Sequence, residues 1–232
     1  MVSSAHPLAS AIGIDIMNNG GNAIDAAIAT HFALTVVYPQ AGNIGGGGFA
    51  VIRMNDGTIN SLDFREKAPA LAHRDMYLNA EGQLNDLQST HGHMASGVPG
   101  SVDGMFTLHQ KYGTLPMSEL IEPSIEMARR GYVLTPLAAE LLNAKQEEFQ
   151  TYNRWSTPYH SDENWQAGDT ITQPDLAQTL EHIQSNGRNG FYEGIVADQI
   201  VAEIQSGNGL ISLADLKNYQ SVWRKPITGN YR

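Results

Sequence analysis

The spacing of apolar residues is helical over most of this chain and alternates only over a short stretch near residue 50. In "PLASAIGIDIMNNGG", Leu8, Ile12 and Ile16 fall four apart and define one helix face, which ends at Asn-Asn-Gly-Gly. "NAIDAAIATHFALTVVYP" is apolar nearly all round, the pattern of a helix buried on most sides and stopped before Pro39. Asn22 stands at its N-cap, with Asp25 three residues on, where a carboxylate suits the positive end of the helix dipole. The period then shortens. "FAVIRM" and "INSLDF" alternate as two strands around Asp56-Gly57, a hairpin signal.

Residues 73–97 are polar and irregular, with a turn near "NAEGQ". Pro99 opens a predicted helix that runs to Lys111 and closes at Gly113. "MSELIEPSIEMARRG" predicts a helix ending at Arg129, Arg130 and Gly131, and "PLAAELLNAKQEEF" predicts another. Residues 150–170 read as a loop holding Tyr152, Trp155, Tyr159 and Trp165, either a boundary or a lid. Three further helices are expected in "PDLAQTLEHIQSNG", "GIVADQIVAEIQSGNG" and "SLADLKNY", and an extended segment in "SVWRKPITGNYR". That ending, with no helix, cap or polar tail, suggests truncation. Residues 1–232 are therefore read as a single incomplete domain.

Composition narrows the function. A net charge of −10 and the lack of any dense basic stretch argue against nucleic acid, whose binding needs clustered Lys and Arg. The absence of cysteine excludes disulfides, thiolate metal sites and a cysteine nucleophile within these residues. No apolar run reaches the ~18 residues of a membrane span. "MVSSAHPLAS" has neither a basic nor an apolar leader region.

Four candidates for chemistry remain. Gly45 to Gly48 follow a helix and precede a strand, the reverse of a phosphate-binding loop, so close backbone approach is the favoured reading. Arg65 shares a strand face with Asp63, opposite Leu62 and Phe64. It is either an exposed charge paired with Asp63 or Glu66, or a two-pronged clamp for a carboxylate, oriented by Asp63. Spacing does not choose between these. His91 and His93 have ligand-like i, i+2 spacing but no accompanying motif, and His31 on an apolar helix reads as a satisfied core histidine. No nucleophile is recognisable: there is no Gly-x-Ser-x-Gly, and Ser3 or Ser4 would serve only after removal of Met1 and Val2. The aromatic residues of 150–170 could stack on a ligand but more often anchor a loop.

"PQAGNIGGGGFAVIRMNDGTINSLDFREKAPA" resembles the gamma-glutamyltransferase (gamma-glutamyltranspeptidase, glutathione hydrolase) family. The likeness extends through "GGNAIDAAIATHFALTVVYP", "MASGVPGSVDGMFTLHQKYGTLP", "ARRGYVLT", "GNGLISLADLKNY" and "RKPITGNYR", nearly the whole chain. It implies an α/β (α+β) N-terminal nucleophile hydrolase, a four-layer α-β-β-α sandwich of which this chain is an incomplete, helix-rich part. It also implies a precursor that cuts itself into large and small subunits, with the new N-terminal threonine of the small subunit as nucleophile. That threonine would lie beyond Arg232, so no catalytic residue is expected here and this chain alone is expected to be inactive. Arg65, in "DFREKAP", matches the family arginine that binds the α-carboxylate of the γ-glutamyl group, which turns the choice at this residue towards the clamp. The expected substrate is glutathione or another γ-glutamyl amide and the expected partner is the small subunit. No cofactor and no metal are expected, and the resemblance implies a periplasmic or secreted location. The alternative is a related acylase of the cephalosporin or glutaryl type.

Overall fold

The computed structural model describes residues 1–153 and 155–231; Arg154, inside the 150–170 loop, and Arg232 lie outside the described residues. Helix α1 (Pro7–Asn18) packs against α2 (Ala23–Val37). The contact face of α1 is not the one expected from Leu8, Ile12 and Ile16. Leu8 is exposed, and the buried positions are Ala9, Gly13 and Ile16. The reason is distance: a Cβ at Gly13 would overlap Thr30 and Val2, so small residues let the two helices approach more closely than leucines would. The start of α2 is as the sequence predicts. Asn22 Oδ1 accepts from the N–H groups of Ile24 (2.7 Å) and Asp25 (3.0 Å), while Asp25 accepts from Asn22 N–H at 2.9 Å. Asp25 also accepts from Thr114 N–H and Oγ1–H. Burial raises its pKa, but these bonds outweigh burial and hold the carboxyl below its usual range.

Strands β1 (Phe49–Arg53) and β2 (Ile59–Asp63) pair antiparallel, with Phe49 opposite Asp63 and Arg53 opposite Ile59. Gly57, at φ +87°, closes the turn between them, where an L side chain would be strained. The polar stretch that follows, irregular by its sequence, contains a short helix, α3 (Asp86–Thr90). Helices α4 (Ser101–Tyr112) and α5 (Met117–Arg130) form where they are predicted, and Gly131 ends α5 at φ +91°. β3 (Tyr132–Val133) follows, and the single helix predicted next is two: α6 (Pro136–Asn143) and α7 (Gln146–Tyr152), broken at Ala144 and Lys145. Gln146 accounts for the break, because its Nε2–H donates back to Leu142 O and across to Tyr159 O. β4 (Thr170–Ile171) pairs with β3. Then come α8 (Pro174–Asn186), the unpredicted one-turn α9 (Asn189–Tyr192), α10 (Ile195–Ser206) and α11 (Leu213–Asn218). β5 (Val222–Arg224) returns to pair antiparallel with β2, making a three-stranded sheet in the order β1-β2-β5.

The sheet has one covered face. Ile52, Leu62 and, just past β2, Phe64 turn inward to a core that includes Phe32 and Val36 of α2 and Val102 of α4. On the other face Phe49 is 64% and Val51 74% exposed. Helices therefore line one side of the sheet, and among the described residues its opposite side carries no second layer. The 150–170 loop is fastened to its neighbours: Tyr159 Oη–H donates to Gln173 Oε1 at 2.7 Å, Asn143 Oδ1 accepts from Trp165 N–H at 2.8 Å, and Gln146 Oε1 accepts from Ser161 N–H at 2.9 Å.

Candidate functional site

The glycine run is where backbones meet. Gly48 exchanges hydrogen bonds with Phe64 (3.3 and 2.9 Å), extending the β1–β2 ladder by one pair. A Cβ at Gly47 would overlap the Phe64 carbonyl and Arg65 Cα. Gly46 O accepts from Gly100 N–H (2.7 Å) and Ser101 N–H (3.0 Å), the donors at the N-terminus of α4. Gly46 N–H in turn donates to Asn43 Oδ1 at 2.8 Å. These bonds use groups that a bound anion would need, and the run behaves as the close approach expected of it.

Arg65 sits one residue beyond Phe64 on this packed segment. Its side chain is 59% exposed, and Nε lies 3.3 Å from Glu66 Oε2. Of the two carboxylates the sequence offers Arg65, the side chain meets Glu66, and Asp63 does not orient the guanidinium as the clamp reading has it. Its Oδ1 accepts from Arg65 backbone N–H at 3.0 Å, and its Oδ2 accepts from Arg224 Nε–H at 2.7 Å. The Arg65 N–H bond, followed by Arg224, lowers the Asp63 pKa against a smaller effect of burial, so the carboxylate is charged at neutral pH. Strand register explains the change of partner, because β5 places Arg224 opposite Ser61 and diagonal to Asp63.

A polar network that sequence reasoning missed lies beneath this segment. Asp103, 5% exposed on the first turn of α4, accepts from Arg188 Nε–H, from Ser221 N–H (2.7 Å) and from Ser221 Oγ–H (2.6 Å). Arg188 also donates to Tyr219 O and lies over the Tyr192 ring, 4.2 Å from its centroid. Tyr192 Oη accepts from Asp103 N–H at 3.2 Å and donates to Pro99 O at 2.9 Å. Burial raises both phenols, Tyr219 to about 12, so each remains a donor at any working pH. No motif marks these five residues, which are 2 to 118 positions apart in sequence and meet only through folding.

The remaining candidates disperse. His91 lies against Tyr152 with ring centroids 4.7 Å apart and planes tilted by 32°, whereas His93 pairs with Glu203 at 3.0 Å. Among the described residues no three His, Asp or Glu side chains gather as a metal set. Ser4 Oγ–H donates to His6 O at 3.0 Å. His31 is not the satisfied histidine expected. Its Nε2 is buried without a partner, and burial pushes its pKa to about 4, opposed only by a bond to the Asn43 backbone.

That burial has a measurable consequence. Below the ordinary histidine pKa the unfolded chain takes up a proton that folded His31 refuses, so stability is lost as pH falls from about 6.5 towards 4. A depression of this size corresponds to about 3 kcal/mol at the acid end. His31→Phe, with Phe32 and Phe64 already edge-on to this ring, should flatten the decline. Urea unfolding at pH 7 and pH 5 compares the two proteins. Equal declines would remove His31 as the cause.

The sequence profile of the gamma-glutamyltranspeptidase family matches residues 9–232. This chain belongs to the gamma-glutamyltranspeptidase family. It is 42% identical to the glutathione hydrolase proenzyme of Escherichia coli (strain K12) and 40% identical to that of Bacillus subtilis (strain 168). Both matches cover 100% of this chain and 40% of the relative, so the chain spans about two fifths of the length of these curated relatives. Among solved structures, the Helicobacter pylori gamma-glutamyltranspeptidase superposes with a TM-score of 0.94 at 45% identity, covering 99% of this chain and 66% of that one. The cephalosporin acylase of Bacillus halodurans superposes with a TM-score of 0.82 at 30% identity, covering 98% of this chain and 43% of that one. Its sheet with one helical layer is thus part of the N-terminal nucleophile hydrolase fold of these gamma-glutamyltranspeptidases and acylases.

Proposed function

We propose that the protein containing this gamma-glutamyltranspeptidase segment transfers the γ-glutamyl group of glutathione and related γ-glutamyl amides to water, amino acids or peptides. The reaction class follows from family membership. The contribution of this chain is Arg65, whose guanidinium takes the donor α-carboxylate through paired, charge-assisted hydrogen bonds. With that end fixed, the γ-carbonyl sits in attack geometry before an N-terminal threonine on the small subunit, on polypeptide outside these residues. The threonine oxygen bonds to the γ-carbonyl carbon as its proton passes to the threonine's own α-amine, and that proton leaves with the departing amine as the amide C–N bond breaks. Water or an acceptor amine then cleaves the γ-glutamyl ester and restores the hydroxyl.

The observation that supports this reading most is the contrast at Arg65. Its peptide is tightly bonded, while its guanidinium is exposed beside a single carboxylate. An acylase whose donor has no carboxylate at that position gains nothing from such a group, although the scaffold is shared; a glutaryl donor has it and lacks only the amine. Hydrolysis of a γ-glutamyl anilide and of a 4-aminobutyryl anilide, which lacks the carboxylate, by the full-length, processed protein separates the two. We expect a preference for γ-glutamyl of about tenfold or more, from the added charge-assisted contact. Equal or reversed rates would turn the assignment towards the acylase. By the same family resemblance the protein works in the periplasm or outside the cell, which fractionation of the native host would test.

A further inference from the structure

The peptide that carries Arg65 is held from both sides. Its N–H donates to Asp63 Oδ1 at 3.0 Å, and its carbonyl accepts from Tyr219 Oη–H at 2.8 Å. One residue on, Glu66 leads to Lys67, whose backbone exchanges two hydrogen bonds with Val98 (3.1 and 2.8 Å). Lys67 Nζ reaches Gln220 O at 2.7 Å and lies 4.9 Å from the centroid of the Tyr219 ring. Tyr219 is 2% exposed and stacks on Tyr192 at 5.9 Å between centroids with 9° between planes. Arg188 holds the Tyr219 carbonyl from the other side. A Cβ at Gly100 would collide with the Tyr219 hydroxyl and the Phe64 carbonyl, so Gly100 leaves this hydroxyl its path to Arg65.

We infer that Tyr219 is a positioning residue for γ-glutamyl donors: its hydroxyl fixes the Arg65 peptide so that the guanidinium meets the α-carboxylate without reorganising. This rests on the reading of Arg65 as the carboxylate clamp. An exposed arginine has many rotamers, and each degree of backbone freedom at its root multiplies them. Anchoring the carbonyl of the same residue removes the backbone part of that freedom while leaving the side chain open to ligand. Placement of this kind must hold to a fraction of an ångström to be useful. The hydroxyl comes from a residue 154 positions away, so donor recognition is coupled to the docking of the α11–β5 segment onto the end of β2.

The test uses the full-length, processed protein with Tyr219→Phe, which keeps the stacked ring and removes only the hydroxyl. Active sites are titrated with an irreversible γ-glutamyl analogue, so that any loss of folded protein does not enter the constants. KM for a γ-glutamyl anilide is expected to rise about fivefold, the worth of one hydrogen bond. The constants for a 4-aminobutyryl anilide, which lacks the α-carboxylate, should not change. Adding Tyr219→Phe to Arg65→Ala should produce no further rise, because the two act as one unit. If Arg65→Ala raises KM and Tyr219→Phe does not, Tyr219 only packs and the inference is overturned. If neither raises it, the carboxylate clamp itself has failed. Should Tyr219→Phe not yield folded protein, Arg188→Lys loosens Tyr219 from its far side and carries the same comparison, with an unchanged KM again overturning the inference.

Discussion

Arg65→Ala is expected to lower kcat/KM for a γ-glutamyl anilide by about two to three powers of ten in the full-length, processed protein. The side chain can give a carboxylate two parallel N–H donors and a full charge, worth roughly 3 to 4 kcal/mol when both bonds are lost. Most of the change should fall on KM, because the α-carboxylate is bound in the ground state as firmly as in the transition state. Arg65→Lys keeps the charge but not the fork, and a loss of about tenfold is expected. Glu66, 3.3 Å from Nε, is the competing partner in the free protein, so Glu66→Gln should tighten donor binding slightly. A near-normal KM in Arg65→Ala would end the assignment.

Asp103→Ala is expected to cost the largest amount of stability of any exchange at this end of the molecule, about 3 kcal/mol. The carboxylate is nearly buried and joins Arg188 and the N–H and hydroxyl of Ser221, so its loss leaves a guanidinium and two donors facing protein rather than water. Arg188 remains partly exposed, which keeps the figure below that of a fully buried pair. The double exchange Asp103→Ala with Arg188→Met should recover part of the loss, because the stranded charge is gone. Thermal unfolding of the single and double variants decides this. A loss under about 1 kcal/mol for Asp103→Ala would show that water already carries these groups.

The Asp103 case also marks the limit of the sequence. In the chain it reads as an ordinary acid in the first turn of a helix, and Arg188 as a charge after Asn-Gly. Their partnership spans 85 positions, and no local pattern encodes it. Arg65 was legible as a candidate through family resemblance, since the residues of the strand and its flanks are contiguous. Its partners were not. Asp63 was expected to orient the guanidinium, and the register of β5, set by a strand over 150 residues away, assigned that carboxylate to Arg224 instead. The break between α6 and α7 was hidden in the same way, because Gln146 bridges to Tyr159, a residue beyond both helices.

What the sequence determined by itself is what short-range physics encodes. The Asn22–Asp25 capping box, the buried character of α2, the Gly57 turn and the close packing at Gly46 to Gly48 each depend on neighbours or on the absence of a side chain. Only the tertiary structure decided which face of α1 is inside, where β5 joins the sheet, and that Tyr219 closes on the carbonyl of Arg65. Those outcomes depend on distances between segments remote in the chain, and apolar spacing carries no information about which remote partner a helix or strand will meet.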